Sequence, residues 1–153
     1  KTDYRLRLKL LRSKKPRIVV RKSLKAIRVQ FVEYNPQGDK ILASAISNEL
    51  TKNYGWKYSA SNTPAAYLTG LLAGKRAMEK GIGQGVLDIG LYHPTVGSTL
   101  FASLKGVLDA GIECPHDAQM LPKDERIYGV HINKEIKPLV GDIKTKIKGD
   151  KEE

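Results

Sequence analysis

A chain of 153 residues is the size of one globular domain, and with 41% apolar residues it can bury a core, which excludes a wholly disordered chain. No apolar run reaches the length of a membrane-spanning helix, the basic start beginning at Lys1 is followed by no secretory cleavage pattern, and the single cysteine, Cys114, has no partner for an internal disulfide or a thiolate metal cage, so a reducing, intracellular compartment is expected. The formal charge of +11 is concentrated: residues 1–28 hold 12 bases and one acid, whereas residues 29–153 hold 15 of each.

In chain order, residues 3–12 predict a short helix. Leu, Arg and Lys form helices readily, no β-branched residue follows Thr2, and Thr2 or Asp3 can cap the start. Lys14, Lys15 and Pro16 end it. Residues 17–20 predict a strand, and residues 21–25 a basic turn. In residues 26–34 Ile27, Val29 and Phe31 alternate with Arg28 and Gln30, the pattern of a strand with one buried face. Asn35-Pro36-Gln37-Gly38 is a turn, and residues 40–46 complete an antiparallel meander. Residues 47–62 are expected to be irregular.

The clearest helix starts at Thr63 as cap, with Pro64 at its first position and Gly81 just past its end. Gly70 and Gly74 lie one turn apart, which favours close packing against a neighbouring backbone. Val86 to Ile89 predict a central strand. After the loop 90–97, Ser98 is expected to cap a second helix whose stripe is Leu100, Phe101, Leu104 and Leu108, ending before Gly111. Beyond Cys114, Pro115, Pro122 and Pro138 interrupt the pattern, and an irregular arm is expected over 113–153, frayed after Lys144. The divisions are 1–15, a basic segment; 16–112, an α/β domain; and 113–153, the arm. Three strands, a helix, a strand and a helix imply a mixed sheet with helices packed on it.

Little in this pattern is catalytic. Gly81-Ile-Gly-Gln-Gly85 follows a helix and opens a strand, the reverse of a dinucleotide loop. Cys114 and His116, with only His93 and His131 besides, do not make a metal site. Ser98 lacks the nucleophile-elbow context. Asp88 has no converging acids for two-metal chemistry and is expected to be a structural hydrogen-bond acceptor. No catalytic residue, metal or cofactor is therefore expected.

The charge block points elsewhere. Crowded cations repel one another unless an anion neutralises them, and Arg and Lys are phosphate donors. The candidates for RNA contact are Tyr4, Arg5, Arg7, Lys9, Arg12, Lys14, Lys15 and Arg17 in and after the basic segment, and Arg21, Lys22, Ser23 and Lys25 at the turn. The helix starts at Thr63 and Ser98 offer free amides to a phosphate, and Tyr92 and His93 offer stacking faces.

The runs Pro16 to Ser23, Gly38 to Ala45, Asn62 to Gly74, and Val86 to Leu91 with Pro94, Thr95, Gly97 and Ser98 resemble the large-subunit ribosomal protein L-eighteen family. Thr2 to Arg5 and Ile127 to His131 resemble its archaeal form. The resemblance implies a three-layer α/β/α fold related to the ribonuclease H motif, without that active site. It implies a non-enzymatic protein of the large ribosomal subunit that binds 5S rRNA and attaches it to large-subunit rRNA at the central protuberance, beside neighbouring ribosomal proteins. By position it implicates Tyr4, Arg5, Arg7, Lys9, Arg12, Arg21, Lys22, Ser23, Lys25, Asn62, Thr63, Tyr92, His93, Thr95 and Ser98. The sequence departs from the family at Leu24, Ala26, Val96 and Thr99. The alternatives are an anionic-membrane binder using residues 4–12 as an amphipathic helix, another structured RNA as ligand, and an enzyme on the same scaffold; the last lacks a convergent catalytic set.

Overall fold

The computed structural model describes residues 16–23, 25–88, 99–114, 121–122, 127 and 136–149. Four strands form one mixed sheet: β1 (Arg17–Lys22), β2 (Ile27–Glu33), β3 (Lys40–Ile46) and β4 (Val86–Asp88). The spatial order is β3-β2-β1-β4. β1 and β3 flank β2 antiparallel, as the meander predicts, and β4 joins β1 in parallel. The turn between β2 and β3 closes with the Gly38 amide donating to the Asn35 carbonyl at 2.9 Å.

Period-two alternation divides the sheet into two unlike faces. Ile18, Val20, Ile27, Val29, Phe31, Ala43 and Ala45 lie on one face, all buried. The opposite face carries Arg17, Val19 and Arg21 from β1, Arg28 and Gln30 from β2, Ser44 and Ile46 from β3, and Asp88 from β4.

The helices are α1 (Asn48–Asn53), α2 (Thr63–Glu79), α3 (Thr99–Asp109) and α4 (Ile136–Gly149). α2 packs on the apolar face of β2 and β3 and is buried along most of its length, because α3 and α4 pack against it as well. Its start differs by one residue from expectation. Asn62, not Thr63, is the cap: the Asn62 backbone is extended and its Oδ1 accepts from the Ala65 amide at 2.9 Å, leaving Thr63 inside the first turn. Gly81 closes the helix with φ of 82°, a left-handed conformation that suits glycine.

Both glycines of the expected pair are closely packed, and a Cβ on Gly74 would lie 2.7 Å from the Ala110 Cβ and 3.3 Å from the Val107 backbone. A Cβ on Gly70 would lie 1.9 Å from the Ser103 carbonyl oxygen of α3, and a Cβ on Gly106 would lie 2.0 Å from the Tyr67 carbonyl oxygen of α2. The two helices therefore touch backbone to backbone, a crossing that no larger residue permits.

Several expectations are corrected. β1 runs on through Arg21 and Lys22, so the turn is tighter, closed by the Ser23 amide donating to the Ala26 carbonyl at 2.9 Å. β4 is not central; it lies at the edge of the described sheet. Residues 47–62 contain α1 and bury Leu50, Tyr54 and Trp56, whose indole Nε1 donates to the Ser59 carbonyl at 3.0 Å.

The arm expected to be irregular contains α4, with Ile136, Val140, Ile143 and Ile147 all fully buried at helical spacing. Pro138 does not interrupt α4, because it lies in the first turn, where a backbone N–H has no intrahelical partner to lose. The Lys75 ammonium of α2 donates to the Ile147 carbonyl and fastens α4 further. Of the expected three layers, the described residues supply the sheet and helices against one face; the other face is the polar one. The helix expected over 3–12 lies outside the described residues, as does Ser98 as a cap.

Replacing Gly70 by Ala is expected to cost about 2–3 kcal/mol or more through the forced α2–α3 separation. Gly83→Ala, where a Cβ meets nothing within 4 Å, is expected to be neutral or slightly stabilising. Urea unfolding of the two variants checks the contrast.

Candidate functional site

The polar sheet face is built on a small ionic cluster. Arg17 is only 6% exposed and Asp88 only 5%. Arg17 Nη1 donates to Asp88 Oδ2 at 2.9 Å, and its Nη2 donates to Asp39 Oδ2 at 2.6 Å. One guanidinium thus ties β1 to β4 and to the start of β3. Burial of a charge is tolerable only with such partners, and the planar Arg fork can serve two carboxylates at once. Asp88 is therefore the structural acceptor that the sequence predicts.

Arg21 stands four residues further along β1 on the same face, with a side chain 42% exposed. Its Nη1 donates to the Val20 and Asp88 carbonyl oxygens, both at 2.9 Å, and its Nη2 lies 3.6 Å from Asp88 Oδ1. Directly opposite on β2 is Arg28. Like charges facing each other across a strand pair are unfavourable without a counter-charge. Arg28 is exposed and has no carboxylate partner among the described residues.

Beside this pair the surface opens into a hollow of about 330 Å³, lined by Arg21, Lys22, Ser23, Ala26, Arg28, Gln30 and Ile46. Three cations and no carboxylate line it. Gln30 adds an amide and Ile46 an apolar wall. The chemistry suits an anion with several acceptor oxygens, such as a phosphodiester. Among the described residues no group of His, Cys, Asp and Glu has metal-binding geometry.

The structure distributes the expected contact residues unevenly. Arg21, Lys22 and Ser23 meet at the hollow. The Ser23 hydroxyl also accepts from the Ala26 amide at 3.1 Å and so shapes the turn. Lys25 is exposed on the turn but does not line the hollow. Arg17 is inside, engaged by two carboxylates, and is a scaffold residue rather than an exposed donor. Asn62 and Thr63 are half-buried at the α2 start, away from the hollow's lining, with the Asn62 side chain used as the cap. Tyr4, Arg5, Arg7, Lys9, Arg12, Lys14, Lys15, Tyr92, His93, Thr95 and Ser98 lie outside the described residues. Arg28 and Gln30 are additions. Their signal was present in the alternation of β2, where they are the polar positions between Ile27, Val29 and Phe31, but only the register sets Arg28 against Arg21.

Comparison with known proteins points in one direction. A family model described as "Ribosomal large subunit proteins 60S L5, and 50S L18" matches residues 1–86. A "Large ribosomal subunit protein uL18" of Korarchaeum cryptofilum is 54% identical over 132 residues, covering 86% of this chain and 67% of the relative. One of the same name from Aeropyrum pernix is 53% identical over 132 residues, covering 86% of this chain and 62% of the relative. The chain thus spans about two thirds of the length of the curated relatives it matches.

Removing the Arg17 side chain leaves Asp88 buried without its close partner, so Arg17→Ala is expected to cost about 3–5 kcal/mol of stability. Arg28→Ala, at an exposed position of the polar face, is expected to stay within about 0.5 kcal/mol of the parent. Denaturant titration of both variants separates the scaffold cation from the surface one.

Proposed function

The chain belongs to the family of ribosomal large subunit proteins 60S L5 and 50S L18, a family of the cytoplasmic ribosome, and from that premise we propose that it is a structural, non-catalytic protein that binds 5S rRNA. It attaches that RNA to large-subunit rRNA at the central protuberance, where neighbouring ribosomal proteins flank it. The observation that carries this reading is the cross-strand pair Arg21–Arg28 on the polar sheet face, bordering a cationic hollow. Their guanidinium groups, on neighbouring strands and lining one hollow, offer several donors to the oxygens of a sugar–phosphate backbone, which supplies the counter-charge that Arg28 lacks among the described residues.

The remaining cations extend the same reading. Lys22 and Lys25 continue the positive surface around the turn. The basic segment containing Tyr4, Arg5, Arg7, Lys9, Arg12, Lys14 and Lys15 brings most of the chain's charge excess to the RNA, and Tyr4 provides a face for stacking. The stretch Tyr92, His93, Thr95 and Ser98 follows β4 and completes the contact set, with Asn62 and Thr63 at the α2 start. The ribonuclease H-like topology and the basic N-terminal helix belong to the same proposal; a mixed sheet with a parallel β1–β4 pair supports the former.

Titration of 5S rRNA with the chain at several salt concentrations tests the reading. If six to eight cations meet phosphates, log K falls against log salt with a slope of roughly −4 to −7. Replacing Arg21 and Arg28 together by Ala is expected to weaken binding by about tenfold or more and to flatten the slope by roughly 1.5. Unchanged affinity and slope would remove the sheet face from the interface, and preferential binding to anionic vesicles over 5S rRNA would favour a membrane surface instead.

A further inference from the structure

Arg21 is exposed enough to meet a ligand, yet one side of its guanidinium is already held. Both Nη1 protons are taken up by the Val20 and Asp88 carbonyl oxygens, and the Asp88 carboxylate lies 3.6 Å from Nη2. The Nε proton and the outward Nη2 proton are not used by these contacts. Asp88 itself is buried and fixed at 2.9 Å by Arg17, which is in turn fixed by Asp39. A rigid chain of contacts therefore runs from the buried scaffold to the rim of the hollow. An unrestrained arginine loses rotamer freedom when it binds; one already held loses less.

We propose that Asp88 is a positioning residue for anion binding: acting through Arg21, it holds the guanidinium in the orientation that presents its free edge, together with Arg28, to a phosphodiester of the bound RNA. This proposal rests on the reading of the sheet face as an RNA contact. Asp88 does not touch the RNA. Its carboxylate lies 2.9 Å from Arg17 and 3.6 Å from Arg21, and no carboxylate is among the residues that line the hollow with Arg21 and Arg28.

A double-mutant cycle on the full chain with 5S rRNA as ligand tests it. Asp88→Asn retains a carbonyl acceptor for Arg17 but removes the carboxylate beside Arg21. In the native background it is expected to weaken binding by about two- to tenfold, the range corresponding to the ordering of one long side chain. In an Arg21→Ala background the same substitution is expected to cost nothing further. Asp88→Glu, which keeps the charge, recovers part of the loss, and thermal melting of each variant ensures that only folded protein is titrated. Equal losses from Asp88→Asn in both backgrounds, or tighter binding on loss of the carboxylate, would overturn the positioning role while leaving the sheet-face reading intact. An Arg21→Ala variant that binds as tightly as the parent would overturn both.

Discussion

The polar face of the sheet depends on one buried guanidinium. Arg17 holds Asp88 on β4 and Asp39 at the start of β3, and so links strands that are distant in sequence. A buried ion pair is not by itself a large stabilising term, because desolvation offsets much of the attraction. Its consequence is specificity of arrangement. Once Arg17 is placed inside, both carboxylates must come to it, and β4 cannot slide along β1 without leaving a buried charge unpaired. Only in that register does the Asp88 carbonyl lie where Arg21 can donate to it.

The opposite face is governed by shape instead of charge. Gly70 and Gly106 let α2 and α3 approach until backbone meets backbone. The resulting close pair covers the apolar side of the sheet, and α4 then adds Ile136, Val140, Ile143 and Ile147 to the same core. Hydrophobic burial on this side is what allows the other side to remain polar. Each Ile, Leu, Val or Phe removed from water contributes about 1.5–3 kcal/mol, so a one-sided core can carry the fold. The edge of β3 is guarded as well: Lys80 donates to the Leu42 carbonyl at 2.5 Å and Arg76 to the Ser44 carbonyl at 2.8 Å, which occupies acceptors that another strand would use.

Together these two faces give a division of labour suited to a ribosomal protein. The apolar face builds a stable body with no net charge of its own. The polar face sets Arg21 and Arg28, two like charges, opposite each other, and the chain's excess charge lies in residues 1–28 of the sequence. Within that block the cations are not equivalent. Arg17 is consumed by the scaffold, Arg21 is held by the scaffold but partly exposed, and Arg28 is exposed with no carboxylate partner among the described residues.

Sequence by itself determined the strands of the meander, the two central helices, the close approach at Gly70 and Gly74, and the concentration of charge, because each follows from local periodicity, capping or side-chain volume. It also identified Asp88 as a structural acceptor, since no second acid accompanied it. The tertiary structure decided which cations are available. Arg17 and Arg28 look alike in sequence, and only the parallel docking of β4 buries the first, while only the β1–β2 register opposes the second to Arg21. The helix at residues 136–149 was written in the spacing of Ile136, Val140, Ile143 and Ile147, but Pro138 masked it; that a first-turn proline costs a helix nothing is a matter of position within the helix, and position is set where those four side chains meet α2.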